Sequence, residues 1–152
     1  KINYTVGTLY NVFHNLDDII LHVNMLTLRK AHKYLYDKQD IMKLAKGYFA
    51  FSQEYYNEWN MLFQHHLPSD GEIPEWYQTS VDKPFGLCIS LLQKFATDMS
   101  EEELAVHSRI IWSSVHGICS LYHANKLRVI NEQDPEEMVT RFVKTYLKGL
   151  KK

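Results

Sequence analysis

The chain has 152 residues and a mass of 18.0 kDa, enough for one domain whose core needs no disulfide staples. Hydrophobic residues at 45% and charged residues at 23% exclude wholesale disorder. With 17 basic and 18 acidic side chains the net charge is −1, so the chain as a whole has no pull toward nucleic acid or anionic membrane, and any such contact must be local.

Residues 4–12 have the spacing of two helical turns, with Val6, Leu9, Val12 and Phe13 on one side. The segment Asn15-Leu16-Asp17-Asp18 reads as a break and a new helix start, because carboxylates suit the positive end of a helix. Ile19, Ile20, Val23 and Leu26 then carry an apolar stripe toward Tyr36. After a polar connector, Asp40 is the expected cap of an aromatic-rich helix over residues 41–66. Tyr48, Phe51, Tyr55 and Trp59 follow +3, +4, +4 spacing there and are expected to share a face. Residues 67–74 hold Pro68, Asp70-Gly71 and Pro74, which is loop chemistry, and Trp76 and Tyr77 just beyond are read as part of a lid.

Pro84 is expected at the first position of a helix running to about Ala96. Ser100 with Glu103 makes a reciprocal capping box opening a helix to about Leu127. Asp134-Pro135-Glu136-Glu137 starts a last helix, which ends in Gly149 and a solvated basic tail. No stretch alternates with period two over a sustained length, so the fold class is all-α.

Chemistry-bearing motifs are scarce. The sequence has no phosphate-cradling glycine loop, no nucleophile elbow and no zinc-protease histidine pair, so no enzyme is expected. Glu54 or His116 acting as a base would be the enzymatic reading, and Glu54 and Glu58 fit a wet face or tyrosine partners better. Eight histidines lack a third ligand at metal spacing, so neither metal nor cofactor is expected. Cys88 and Cys119 are too few for a disulfide scaffold and read as core thiols of a reducing, cytoplasmic setting. The apolar run over residues 110–125 falls short of the roughly 20 residues a bilayer span requires, and no cleavable signal is expected at the start.

On the helix bearing Trp112, two stripes are readable. Ser113, Gly117, Ser120 and Ala124 form a row of small residues that would let another helix approach closely. Ile111, Val115, Ile118 and Tyr122 form a neighbouring apolar row. Such a helix is either a centre wrapped by its own chain or a dimer seam. Trp112 and His116 are four apart and lie one above the other; His116 either meets a ligand polar group or holds a buried backbone carbonyl.

Two stretches resemble a known family. Tyr4-Thr5-Val6-Gly7-Thr8-Leu9-Tyr10-Asn11-Val12-Phe13-His14-Asn15-Leu16-Asp17-Asp18-Ile19 resembles the recognition helix and following helix start of TetR-family transcriptional regulators. Trp112-Ser113-Ser114-Val115-His116-Gly117-Ile118, followed by Leu121 and by Leu147-Lys148-Gly149-Leu150, resembles the Trp-His-Gly subgroup of their effector domains. The resemblance covers essentially the whole chain. It implies a remnant of the helix-turn-helix reader over residues 1–15, lacking its first two helices, and an effector-binding and dimerisation domain over residues 16–152.

The function implied is a dimeric, ligand-responsive regulator, most simply a repressor. Its partners would be a second copy, operator DNA for the full-length protein, and a small hydrophobic or aromatic effector. Thr5, Val6, Gly7, Thr8, Tyr10, Asn11 and His14 would meet DNA, with Thr5, Thr8 and Asn11 short enough for base edges and Tyr10 and His14 placed for phosphates. Leu16 departs from the family, which often carries a phosphate-binding Lys there. The effector pocket would draw on Tyr48, Phe51, Tyr55, Trp59, Leu91, Phe95, Trp112 and His116. The dimer interface would use Ser113, Gly117, Ser120, Leu121, Ala124, Phe142, Val143 and Tyr146. The competing reading is a dimeric all-helical adaptor with a filled interior and no small-molecule ligand.

Overall fold

The computed structural model describes residue 7 and residues 11–64, 72–131 and 134–150. Among the described residues there are six α-helices and no strand: α1 (Leu16–Leu35), α2 (Ile41–Glu54), α3 (Tyr56–Gln64), α4 (Glu75–Phe95), α5 (Glu101–His123) and α6 (Pro135–Leu150), with a 3₁₀ turn at Leu127–Ile130.

The helix starts follow local chemistry. Asn15, Asp40 and Ser100 each accept a backbone N–H three residues on, from Asp18, Lys43 and Glu103, and so satisfy a donor the helix itself cannot pair. At Ser100 the Glu103 carboxylate also accepts the Ser100 N–H at 2.8 Å, completing the capping box. Ser100→Ala is expected to cost about 1 kcal/mol, which lowers Tm by roughly 2–4 °C for a domain of this size; a differential scanning melt checks it, and an unchanged Tm would show that the box does not set this helix start. Helix α5 ends at an asparagine in the left-handed region, Asn125 at φ 57°. Lys126 N–H donates to Leu121 O and Asn125 N–H to Tyr122 O, the paired bonds of a Schellman ending.

Three boundaries differ from the sequence reading. The expected helix over residues 41–66 is two helices, broken at Tyr55, whose φ of −118° and ψ of 44° leave the helical region; residues 65–66 lie outside the described residues. Tyr55 N–H still donates to Phe51 O at 2.9 Å, so the chain turns without orphaning that carbonyl. The α5 helix closes at His123 rather than Leu127, because Asn125 takes the left-handed ending. Pro84 is not a helix start either: it sits inside α4, which begins at Glu75 with Pro74 at its cap. A mid-helix proline removes a hydrogen bond and costs about 3 kcal/mol, and α4 offsets this by burying Tyr77, Ser80, Cys88, Leu91 and Leu92. The residues read as a lid, Trp76 and Tyr77, are therefore the first turn of that helix.

Helix α2 stands at the centre, in contact with α1, α3, α4, α5 and α6. Helix α4 lies between α1 and α5, and α6 packs across α2 and α5. Phe51, Leu92, Leu104, Val115, Cys119, Val139 and Val143 are the most deeply buried apolar side chains. No helix among the described residues is long and apolar enough to cross a membrane.

Candidate functional site

Five helices enclose a cavity of about 350 Å³. Helix α1 supplies Leu28, Ala31 and Leu35, and α2 supplies Ile41, Leu44, Ala45, Tyr48 and Phe51. Trp59, Leu62 and Phe63 come from α3, and Tyr77, Val81, Pro84, Phe85 and Cys88 from α4. Ser108, Ile111, Trp112 and Val115 of α5 close the far side. The spacing of Tyr77, Val81, Pro84 and Cys88 is one helical stripe, so a single face of α4 forms one wall. None of the lining residues is Lys, Arg, His, Asp or Glu. The volume lies within the range of small-molecule sites, whose walls are mostly apolar with a few fixed polar groups.

Those polar groups form a knot on one wall. Trp59 Nε1–H donates to Tyr48 Oη at 3.0 Å, and Tyr48 Oη lies 2.9 Å from His116 Nδ1. The other ring nitrogen, Nε2, lies 3.2 Å from Ser120 Oγ. His116 is packed between aromatic rings, with centroids 4.2 Å from Phe63, 5.1 Å from Trp59 and 5.3 Å from Trp112. Burial pushes the Tyr48 pKa well up, against the pull of the Trp59 and Trp112 indoles, so its hydroxyl stays protonated. Burial likewise holds the Cys88 thiol up at about 12, which makes it a neutral wall group rather than a nucleophile.

A second polar group sits one turn away. Ser52 Oγ donates to Phe49 O at 2.7 Å and lies 3.1 Å from His123 Nε2. Burial lowers the pKa of both His116 and His123 from the ordinary 6.5. The unfolded chain therefore binds protons on these rings before the folded chain does, so stability falls as pH drops from about 6.5 toward the folded values. Melts between about pH 8 and pH 5 should show Tm declining below about 6.5, with a shallower decline in His116→Gln; a flat profile would contradict buried neutral rings.

The sequence-predicted pocket residues separate into two groups. Tyr48, Phe51, Trp59 and Trp112 line the cavity. His116 stands behind Tyr48, touching the wall through that hydroxyl. Tyr55 is not among the lining residues: its ring packs 5.1 Å from Phe51 and 6.0 Å from Tyr34, with Lys30 Nζ 4.3 Å above it. Of the four aromatics expected to share a face, Tyr48, Phe51 and Trp59 line the cavity together and Tyr55, at the break between α2 and α3, does not. Leu91 and Phe95 continue the α4 stripe past the end of the cavity, Leu91 buried in the core and Phe95 half-buried. A helix start at Pro84 leaves Tyr77 and Val81 out of the stripe, although their spacing to Pro84 and Cys88 was the available signal; Pro84, Phe85 and Cys88 lie within the expected helix but were not assigned to the pocket.

The predicted interface residues lie on α5 and α6. Ser113, Leu121 and Ala124 are exposed and Gly117 and Ser120 half-exposed. Together with Val106 and Ile110, which the small-residue pattern did not include, they make an outward stripe with a substantial apolar share. Phe142 and Tyr146 are half-buried against the core, and Tyr146 Oη lies 2.7 Å from His107 Nδ1. Val143 is 1% exposed and points into the chain's own core, because α6 must bury a face against α2 and α5 before it can offer one outward.

Of the predicted DNA-contacting residues, Gly7, Asn11 and His14 are exposed. Thr5, Val6, Thr8 and Tyr10 lie outside the described residues. His14 is tied back to α1: its N–H donates to Asp18 Oδ2 at 3.0 Å, and His22 Nδ1 reaches Asp18 Oδ1 at 3.1 Å. The His14 backbone bond is the main reason the Asp18 pKa is lowered. The His22 ring also meets Phe13 and, at 4.4 Å between centroids, Trp76 in the first turn of α4. Asn24 is buried nearby, its Oδ1 without a partner among the described residues. Among the described residues no group of three His, Cys, Asp or Glu is arranged to hold a metal ion.

No curated protein matches the chain. Two solved structures share its fold: a protein of unknown function from Rhodococcus sp. RHA1, at TM-score 0.74 and 14% identity, and a protein described as a candidate regulatory protein, SCO4313, at TM-score 0.74 and 15% identity. In both cases the match covers 99% of this chain and 80% of the other. The family profile described as "Tetracyclin repressor-like, C-terminal domain" matches residues 41–146, the span that carries the cavity walls from α2 to α5 and the polar knot. The chain belongs to the tetracyclin repressor-like C-terminal domain family.

Proposed function

We propose that this chain is the effector-binding and dimerisation part of a ligand-responsive transcriptional repressor, with residues 1–15 belonging to its DNA reader and residues 16–152 forming the regulatory domain. The observation that carries the reading is the 350 Å³ cavity with uncharged, almost wholly apolar walls. A helical adaptor would fill that volume with side chains, since unfilled apolar space forfeits packing energy. The effector is a small, neutral, hydrophobic or aromatic compound. Two copies associate through the outward stripe of α5 and the adjoining face of α6.

The mechanism follows from α1. This helix lines the cavity with Leu28, Ala31 and Leu35, and lies along α4 for much of its length. Its first turns meet the start of α4 through His22 and Trp76. A ligand that prefers one packing of α1 against α4 thereby prefers one spacing of the two readers in the dimer. A few kcal/mol of differential affinity is enough to change operator occupancy.

A thermal-shift panel of neutral aromatic compounds and their charged analogues tests the ligand arm. A neutral binder at 100 times its Kd adds about 2.7 kcal/mol, a rise of roughly 5–10 °C at this chain length, while carboxylate analogues give no shift. If no apolar compound raises Tm, the sensor reading fails. Footprinting of the full-length dimer on its own promoter at low salt tests the DNA arm, where absence of protection refutes the repressor assignment.

A further inference from the structure

The cavity's few polar atoms restrict what can be held there. Ser108 Oγ donates to Ala105 O, and the Trp59 N–H is given to Tyr48. Charged ligands would lose their hydration with no counter-charge in the wall. Tyr77, the other tyrosine on the wall, has its hydroxyl paired with the Asn24 side chain. Tyr48 Oη is the hydroxyl joined to a histidine ring, so its proton can be directed in two ways.

We propose that Tyr48 is the polar anchor of this cavity, that it selects a neutral, mainly hydrocarbon ligand carrying one hydrogen-bond acceptor such as a carbonyl oxygen, and that His116 answers the contact by changing tautomer. The proposal rests on the sensor reading given above and names the ligand class for the same cavity.

Proton accounting leads to it. A neutral imidazole has one donor and one acceptor nitrogen. With the proton on Nε2, Tyr48 O–H donates to Nδ1 at 2.9 Å, and Nε2–H donates to Ser120 Oγ at 3.2 Å. Every donor in the row Trp59, Tyr48, His116 is then used, so this is the arrangement of the free protein. With the proton on Nδ1, the ring donates to Tyr48 Oη, which already accepts from Trp59, and Ser120 O–H donates to Nε2. The Tyr48 O–H is then released and would be stranded in an apolar wall. A ligand acceptor beside it removes that penalty and so stabilises the second arrangement. The charge does not change: the ring loses one proton from Nε2 and gains one at Nδ1 by exchange with water, and the Tyr48 and Ser120 hydroxyls rotate.

The result reaches beyond the cavity. Ser120 lies in the small-residue row of α5, four residues from His116 and half-exposed. In the free protein its own proton is available for another acceptor. With ligand bound that proton is turned inward onto His116. Tyr48 and His116 thus connect cavity chemistry to the face assigned here to the dimer.

The probes are 2-acetylnaphthalene and 2-isopropylnaphthalene, nearly equal in shape and differing in one acceptor oxygen. Calorimetry on the whole chain is expected to show the acetyl compound binding about three- to tenfold more tightly, the range of one net hydrogen bond. Tyr48→Phe should bring the ratio to about one. A second measurement needs no variant at the anchor: ¹⁵N-histidine NMR of the wild type should show the His116 ring protonated at Nε2 when free, at Nδ1 with the acetyl compound, and unchanged with the isopropyl compound. His116→Gln assigns the signal. Equal wild-type affinities, or a ring that keeps its tautomer with the acetyl compound, would overturn the anchor while leaving the cavity a ligand site. Binding of neither compound overturns the anchor and counts against the sensor reading too.

Discussion

Replacing Gly117 by arginine is expected to turn the proposed dimer into a monomer that stays folded. A Cβ built at Gly117 meets nothing within 4 Å, so the chain's own packing has room for a side chain there. Within a helix, exchanging glycine for arginine also improves propensity by up to about 1 kcal/mol. Gly117 lies mid-way along the outward stripe of α5, between Ser113 and Leu121. In a twofold interface the same residue faces a copy of itself or of its neighbours. Two guanidinium groups would then be driven into a desolvated seam without partners, at a cost of about 3–5 kcal/mol. That weakens dimerisation by two to three orders of magnitude or more. Light scattering after size exclusion should report twice 18.0 kDa for the parent chain and 18.0 kDa for the variant, with unchanged helix content. Gly86 is the control: it is also open to a Cβ, but on α4, so Gly86→Arg should remain dimeric. A parent chain that is monomeric at working concentration, or a Gly117→Arg protein that still pairs, would remove the seam from α5.

The second large effect concerns the wall between core and cavity. Phe51 is 0% exposed, yet it also lines the cavity. Its ring lies 5.5 Å from Tyr34 and 5.1 Å from Tyr55, so it ties α1 to the break between α2 and α3. Phe51→Ala is expected to cost about 3–5 kcal/mol, against a total of roughly 5–15 for a domain. The upper end is favoured because the lost volume merges with existing space and cannot be recovered by collapse of neighbours. Urea unfolding gives the readout: the midpoint falls with little change in slope. A loss under about 1 kcal/mol would place Phe51 outside the cooperative core.

The parts of this molecule governed by local chemistry were readable from residues alone. Asn15, Asp40, Ser100 and Asp134 cap or start helices as their side chains suggest, since a cap bond spans only three residues. The break at Tyr55 had no such signal. Its aromatic spacing is compatible with one long helix, and the turn is favoured by what Tyr55 packs on, namely Tyr34 and Phe51 from separate helices. Pro84 misled for a related reason. Local propensity opposes a proline inside a helix, and only burial of α4 between α1 and α5 outweighs that cost.

The candidate site divides in the same way. Tyr48, Phe51, Trp59 and Trp112 could be named as pocket residues because they are large, apolar and helically spaced. Their membership in a wall, and the exclusion of Tyr55, Leu91 and Phe95, depends on where each helix ends and how it is rotated. The pairing of Tyr48 with His116, 68 residues apart, depends on α2 crossing α5. Sequence by itself determined the helical class, most helix starts and the family resemblance, because these rest on spacing and capping within a few residues. The cavity, the polar knot and the inward turn of Val143 were decided by tertiary packing, which brings together side chains that no local rule connects.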